Sequence, residues 1–246
     1  MNAKFIFDVD GVLCDRGQLI DEKFKWFLED WAEDKQYYLA TGSPRNKTIS
    51  QIGMQLATTS SGGYHCLGNS IWPPHGSEIV TNYIHFSDEE IDHLKTFYGH
   101  SKFDQKADWE EVIDHRGGSV NFSLCKRNAT LKERAKYIVH DATYSDRKNF
   151  VKQMNDAFPR FDCYIGGACS IDIVLRGANK KQILDLIYEQ NEDKIYFFCD
   201  SFDRHGIDTP LVEAFNMPEF EGIAEVFKIT GGYMETWEIL KSLKTE

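Results

Sequence analysis

Apolar and polar positions run along this chain in blocks whose period changes. Residues 4–8, KFIFD, are a short apolar run closed by an acid, which predicts a buried strand. Over residues 20–34, Ile20, Phe24, Phe27, Leu28 and Trp31 recur near helical spacing. QYYLA at 36–40 predicts a second strand, TGSP a loop, and Pro44 the first turn of a helix toward Gly53. This β-α-β-α order opens a doubly wound parallel sheet. The same grammar returns late in the chain. Residues 180–190 predict a helix with Ile183, Leu184 and Ile187 on one face, and KIYFFCD at 194–200 predicts a buried strand ending in an acid. A helix over 209–216, a strand in AEVFKIT and a closing helix over 233–243 follow.

The middle reads differently. Helices near 88–98 and 145–157 are separated by strand-like GGSVNFSLCKR and GGACSIDIVLR, each opened by a glycine pair. That is antiparallel α+β grammar. NSIWPPHGSE reads as a turn-rich junction before it. The expected organisation is an α/β core in two pieces, 1–79 and 177–246, with an α+β cap inserted at 80–176.

Composition narrows the classes. The 246 residues are 41% hydrophobic and 13% aromatic, enough for a real core and too apolar for a disordered chain. The net charge of -11, with no basic tract, argues against nucleic acid and anionic membrane as partners. No apolar run approaches the ~18 residues of a membrane span. The first strand begins too early for a signal peptide, and the six cysteines, 14, 66, 125, 163, 169 and 199, show neither a CxxC pair nor regular spacing. They read as scattered reduced thiols, and a cytoplasmic location is the expectation.

Chemistry concentrates at four places. In FIFDVDGVL, Asp8 and Asp10 leave a strand end, where Gly11 lets the chain turn so that both carboxylates converge. LATGS places Thr41 and exposed N–H groups before a helix, a seat for phosphate. NKKQIL offers a lysine at a helix start as a point cation. YFFCDSFDRHGID carries Asp200, Asp203 and Asp208 after a buried strand, oxygen donors of the kind Mg²⁺ prefers. Arg116, Arg127 and Arg134 fall within 19 residues of a chain that is otherwise acidic, which suggests a local anion site.

Acid pair, hydroxyl, lysine and acid loop, in that order, resemble the haloacid-dehalogenase superfamily of phosphotransferases. The resemblance implies a Rossmann-like core, Asp8 as nucleophile, Asp10 as general acid and base, Thr41 and Lys180 on the phosphoryl oxygens, and Mg²⁺ as cofactor. The stretches RGGSVNFSLCKRNATLKER and GGACSIDIVLRGANK are similar to the cap of eukaryotic-type phosphomannomutases. By that resemblance Arg116, Arg127 and Arg134 grip a distal phosphate, and Asn121, Ser170 and Asp172 contact a small phosphorylated sugar. Lys180, rather than Lys181, takes the lysine position. Asp8, Asp10, Asp200 and Asp208 form the implied metal set, and a homodimer through the cap is implied as well.

The chain departs from the family pattern at Cys199 for glycine, Ile207 for asparagine and Val12 for threonine. Its ATGSPR is closer to the sugar-phosphatase form of the second motif. Three outcomes stay open: a mutase interconverting mannose 1- and 6-phosphate, a sugar-phosphate phosphatase, and a catalytically weak binding protein on the same scaffold.

Overall fold

The computed structural model describes residues 3–104, 106–188 and 194–243. Its strands are β1 (Lys4–Phe7), β2 (Gln36–Ala40), β3 (Gly62–His65), β4 (Ser70–Trp72), β5 (Ile79–Val80), β6 (Ile113–His115), β7 (Val120–Ser123), β8 (Phe161–Gly166), β9 (Ser170–Leu175), β10 (Ile195–Cys199) and β11 (Ala224–Lys228). Its α-helices are α1 (Glu22–Trp31), α2 (Arg45–Ile52), α3 (Met54–Thr59), α4 (Asp88–His100), α5 (Trp109–Val112), α6 (Leu131–Tyr144), α7 (Asp146–Ala157), α8 (Leu184–Ile187), α9 (Thr209–Phe215) and α10 (Tyr233–Ser242).

Seven strands make one sheet in the order β11-β10-β1-β2-β3-β4-β5. The first five pair in parallel, and β4 and β5 extend the edge antiparallel. The central strands are buried on both faces, as a parallel sheet requires. Phe5 and Phe7 pack with α1 and α10 on one side, and Ile6, Phe197 and Cys199 with α8 and α9 on the other. The strand order reverses beside β1, where β10 lies against it from the far end of the chain. The crevice at the carboxyl ends of such a pair is where open α/β sheets bind ligands. Asp8 and Asp200 are the residues that follow β1 and β10.

The other four strands form an antiparallel sheet, β6-β7-β9-β8. Alternation divides its faces. Phe122, Ile171 and Ile173 turn to a core with Phe97, Tyr137, Phe150 and Met154 of α4, α6 and α7. Asn121 and Asp172, paired across β7 and β9, face the other way. Capping boxes at Ser87/Glu90 and Thr130/Glu133 start α4 and α6. The fold is a doubly wound α/β core with an α+β cap, and no helix among the described residues is long and apolar enough to cross a membrane.

Several elements differ from the periodicity. The helix expected over 180–190 is a 3₁₀ turn, Lys180–Ile183, followed by the short α8; positions 189–190 lie outside the described residues. Its expected face is right, since Ile183, Leu184 and Ile187 are buried. α6 carries no clear apolar stripe because only Tyr137 is buried, while Leu131, Ile138 and Val139 are exposed. The two glycine-led cap strands are shorter than their sequence runs, Val120–Ser123 and Ser170–Leu175. Within the expected junction, Ser70–Trp72 is a strand paired to β3 before the prolines break it.

Candidate active site

Asp8 leaves β1 almost fully buried. Gly11 follows with φ +87°, and a Cβ there would lie 1.8 Å from an Asp200 carboxylate oxygen, so only glycine lets the two loops close together. Lys180, at the start of the 3₁₀ turn, has no exposed surface and donates to Asp8 Oδ1 at 3.0 Å and to Asp208 Oδ1 at 2.5 Å. Oxygen atoms of Asp8, Asp200 and Asp208 all lie within 4.8 Å of one another. Arg16 donates from Nε to Asp200 Oδ2 at 2.7 Å.

Burial pushes Asp8 up to about 8, helped by the neighbouring Asp208 and Asp200 and opposed by Lys180. Asp200 is raised by burial too, against the pull of Arg16. Burial would lower Lys180, but Asp208 and Asp8 hold it above the ordinary lysine range. Three converging carboxylates face two cations, so the cluster is short of positive charge. Its donors are all hard oxygens, the set that suits Mg²⁺. The residues therefore fit a magnesium ion.

Asp10 is turned into a different network. Its Oδ1 accepts from the Gly17 N–H and Gln51 Nε2, each at 2.8 Å, and its Oδ2 from Lys47 Nζ at 2.6 Å and Ser43 Oγ at 3.2 Å. Burial alone would raise it, but Lys47 and these donors bring it below the usual carboxylate value. Asp10 and Asp8 thus differ sharply in proton affinity although they are two residues apart. Thr41, buried at the end of β2, shares the cleft, and its Oγ1 accepts from the Ser43 N–H at 3.1 Å. Asp203 is exposed at the tip of the acid loop, outside the three-acid group.

The cap supplies the opposite wall of a cleft of about 660 Å³ that contains Asp8, Asp10, Thr41, Arg116, Asn121, Arg127, Arg134, Ser170, Asp172 and Asp200. Arg116 donates to Asp114 at 2.7 Å and to the Gly42 carbonyl at 3.5 Å. Arg127 is pinned by the carbonyls of Glu111, Val112 and Asn121 and by Asn121 Oδ1. Arg134 reaches the carbonyls of Ala129 and Arg127. Asn121 Nδ2 donates to Asp172 Oδ1 at 2.8 Å. Asp172 is raised by burial, against Arg116 and Asn121. Ser170 Oγ donates to the Gly166 carbonyl at 3.1 Å.

The two walls touch. The Ile165 N–H donates to the His205 carbonyl at 2.7 Å, tying β8 to the acid loop. Ile207 packs with Leu67, Val174 and Ala178, so the family's asparagine position serves an apolar joint in this chain. The sequence reading missed Arg16, Ser43, Lys47 and Gln51. Lys47 and Gln51 lie one helical turn apart on α2, both reaching back to Asp10, a spacing visible only once Asp10 is known to sit below that helix.

Residues 68–220 match the sequence profile of the family described as eukaryotic phosphomannomutase. The chain belongs to that family. The phosphomannomutase of Encephalitozoon cuniculi is 28% identical over 228 residues, covering 89% of this chain and 87% of that one. Phosphomannomutase 1 of Mus musculus is 28% identical over 214 residues, covering 82% and 80%. Among solved structures, the C-terminal domain of a trehalose-6-phosphate phosphatase from C. albicans superposes with a TM-score of 0.62 at 14% identity, over 99% of this chain and 93% of that one. The Thermoplasma acidophilum protein 0175 does so with 0.61 at 16%, over 98% and 97%. At those identities the structures speak for the fold alone. As a member of the phosphomannomutase family, the chain is an enzyme of the haloacid-dehalogenase phosphotransferase type.

Proposed function

We propose that this enzyme moves a phosphoryl group on a hexose phosphate through Asp8, as a phosphomannomutase acting between mannose 1-phosphate and mannose 6-phosphate. The observation that carries the reading is the meeting of Asp8, Asp200, Asp208 and Lys180 at the β1/β10 crevice, facing a cap wall that bears three arginines. Asp8, Asp200 and Asp208 would hold the magnesium ion, whose charge would keep Asp8 ionised and balance the phosphoryl oxygens. We assign Asp10 to proton transfer rather than to the metal, since Lys47, Gln51, Ser43 and Gly17 occupy its carboxylate.

An Asp8 oxygen attacks phosphorus in line; the Asp8 O–P bond forms as the bond from phosphorus to the sugar oxygen breaks. Asp10, held ionised in the free site by Lys47, takes up a proton as substrate enters and passes it to that departing oxygen. Lys180 and Thr41 steady the phosphoryl oxygens. The phosphorylated Asp8 passes the group to the free hydroxyl of a hexose monophosphate, whose proton goes to Asp10; the bisphosphate so formed turns over within the cleft and returns its other phosphoryl group to Asp8. Arg116, Arg127 and Arg134 hold the second phosphate while Ser170 and Asp172 meet sugar hydroxyls. The cap domain, placed at residues 80–176 between core segments 1–79 and 177–246, keeps water from the phosphorylated Asp8.

A coupled assay with Mg²⁺ tests this. Conversion of mannose 1-phosphate to the 6-phosphate, stimulated by a hexose bisphosphate, is the expected result. Release of free phosphate without isomerisation makes the chain a phosphatase. No turnover, together with no rise in Tm on adding Mg²⁺ and beryllofluoride, makes it a binding protein. A homodimer through the cap belongs to the same proposal and is supported by Leu131, Ile138 and Val139, exposed along α6. Sedimentation of a Val139→Lys variant as monomer and of the parent as dimer checks it.

A further inference from the structure

The cap sheet brings two cysteines together. β7 ends at Ser123, opposite Ser170, the first residue of β9. One step further out, the Leu124 N–H donates to the Cys169 carbonyl at 3.4 Å. The Ser123 hydroxyl stands between the Cys125 carbonyl at 3.1 Å and the Cys169 carbonyl at 3.4 Å. Both thiols are free and buried, and the Cys169 thiol also reaches the Arg134 carbonyl at 4.0 Å. Cys169 lines the cleft beside Ser170, and Cys125 lies two residues before Arg127.

Their surroundings make them unequal. The neighbouring Cys125 thiol, with the guanidinium groups of Arg134 and Arg147, holds the Cys169 thiol below its ordinary range against the effect of burial. The same pairing, with burial, raises Cys125. The thiolate is the form that reacts with oxidants, and a neighbouring thiol then resolves the product.

We infer that Cys125 and Cys169 form a dithiol modification site that takes a small two-electron oxidant of the peroxide class and closes to a disulfide, switching the cleft off. The Cys169 thiolate attacks one peroxide oxygen, the O–O bond breaks, and a sulfenic acid and hydroxide result. The Cys125 sulfur, losing its proton, attacks the Cys169 sulfur and expels its hydroxyl. Two thiols and one hydrogen peroxide thereby become one disulfide and two waters, the sulfurs giving up two electrons. A disulfide holds its sulfurs about 2 Å apart, closer than two unbonded sulfurs can pack, so closure drags Ser170 and Arg127 along with the cysteines. A shift of about 1 Å in positioning groups costs on the order of 100-fold in rate.

The site stands without the catalytic reading; its effect on turnover rests on it. The experiment treats the full chain with stoichiometric hydrogen peroxide, blocks the remaining thiols and maps peptides without reductant. A linked pair containing Cys125 and Cys169, absent after dithiothreitol, is expected. Oxidation of Cys169 without linkage, linkage of another pair, or no oxidation overturns the inference. In parallel, phosphoryl transfer should fall at least about tenfold on oxidation and return with dithiothreitol, while Cys125→Ser keeps its activity under peroxide. Unchanged turnover in a fully linked protein overturns the switch. If the reduced parent turns over no sugar phosphate, the functional reading fails, and the peptide map still decides the dithiol.

Discussion

The two walls of the cleft hold charge in opposite ways. On the core wall, Asp8, Asp208 and Lys180 are ion-paired out of water, and Asp8 is pushed up to about 8. On the cap wall, Arg127 and Arg134 are held mainly by main-chain carbonyls and Asn121, while Arg116 pairs with the partly exposed Asp114 near the buried Asp172. Desolvated carboxylates short of positive charge respond strongly to an arriving cation or phosphoryl group. Arg127 and Arg134, fixed mainly by neutral acceptors, keep much of their charge for a ligand, while Arg116 shares its charge with Asp114. On the proposed function the core reacts and the cap holds, and the topology explains why. A parallel sheet gathers its acids at the ends of neighbouring strands, whereas an antiparallel sheet spreads alternate side chains across one face.

The contrast can be broken most directly at Asp8. Asp8→Asn keeps size and burial but removes the proposed nucleophile, so turnover of any phosphate ester should fall at least about 10³-fold, with Tm kept or raised. Steady-state kinetics and calorimetry check both halves. Lys180→Met comes next. It leaves two buried carboxylates without their shared cation, a loss of about 3–5 kcal/mol, read from urea unfolding at neutral pH. The third test concerns pH. His65, buried under the core wall near Arg45, is lowered by burial to about 4 from an unfolded value of 6.5. The unfolded chain therefore binds the extra proton first. The contribution of His65 is complete above about pH 6.5 and is lost as pH falls toward 4, with a total near 3 kcal/mol. Urea midpoints across that window should flatten in His65→Gln. The smallest effect belongs to the cap. Arg116→Ala should raise KM for a hexose phosphate about 10–100-fold, the worth of a charge-assisted hydrogen bond, while turnover of a small aryl phosphate stays near the parent value.

Legibility follows the same division. β1, β2 and β10 stood out because strands buried on both faces are continuous apolar runs, and acids at their ends are conspicuous against them. Asp8 and Asp200 could be named from that pattern. α6 could not, since most of its apolar residues face outward. Lys47 looked like one more surface lysine until α2 was placed over Asp10. Cys125 and Cys169 looked scattered at a separation of 44 positions, because the register of β7 on β9 is not written in either strand alone.

By itself the sequence determined the doubly wound core, the inserted cap and the residue types available for chemistry, since period and strand-end acids are local properties. Only the tertiary structure decided that Asp8 and Asp10 part company within two residues, one toward Lys180 and Asp208 and the other toward Lys47 and Gln51. Proton affinity depends on burial and on charges brought from distant segments, and those are fixed when the chain closes on itself.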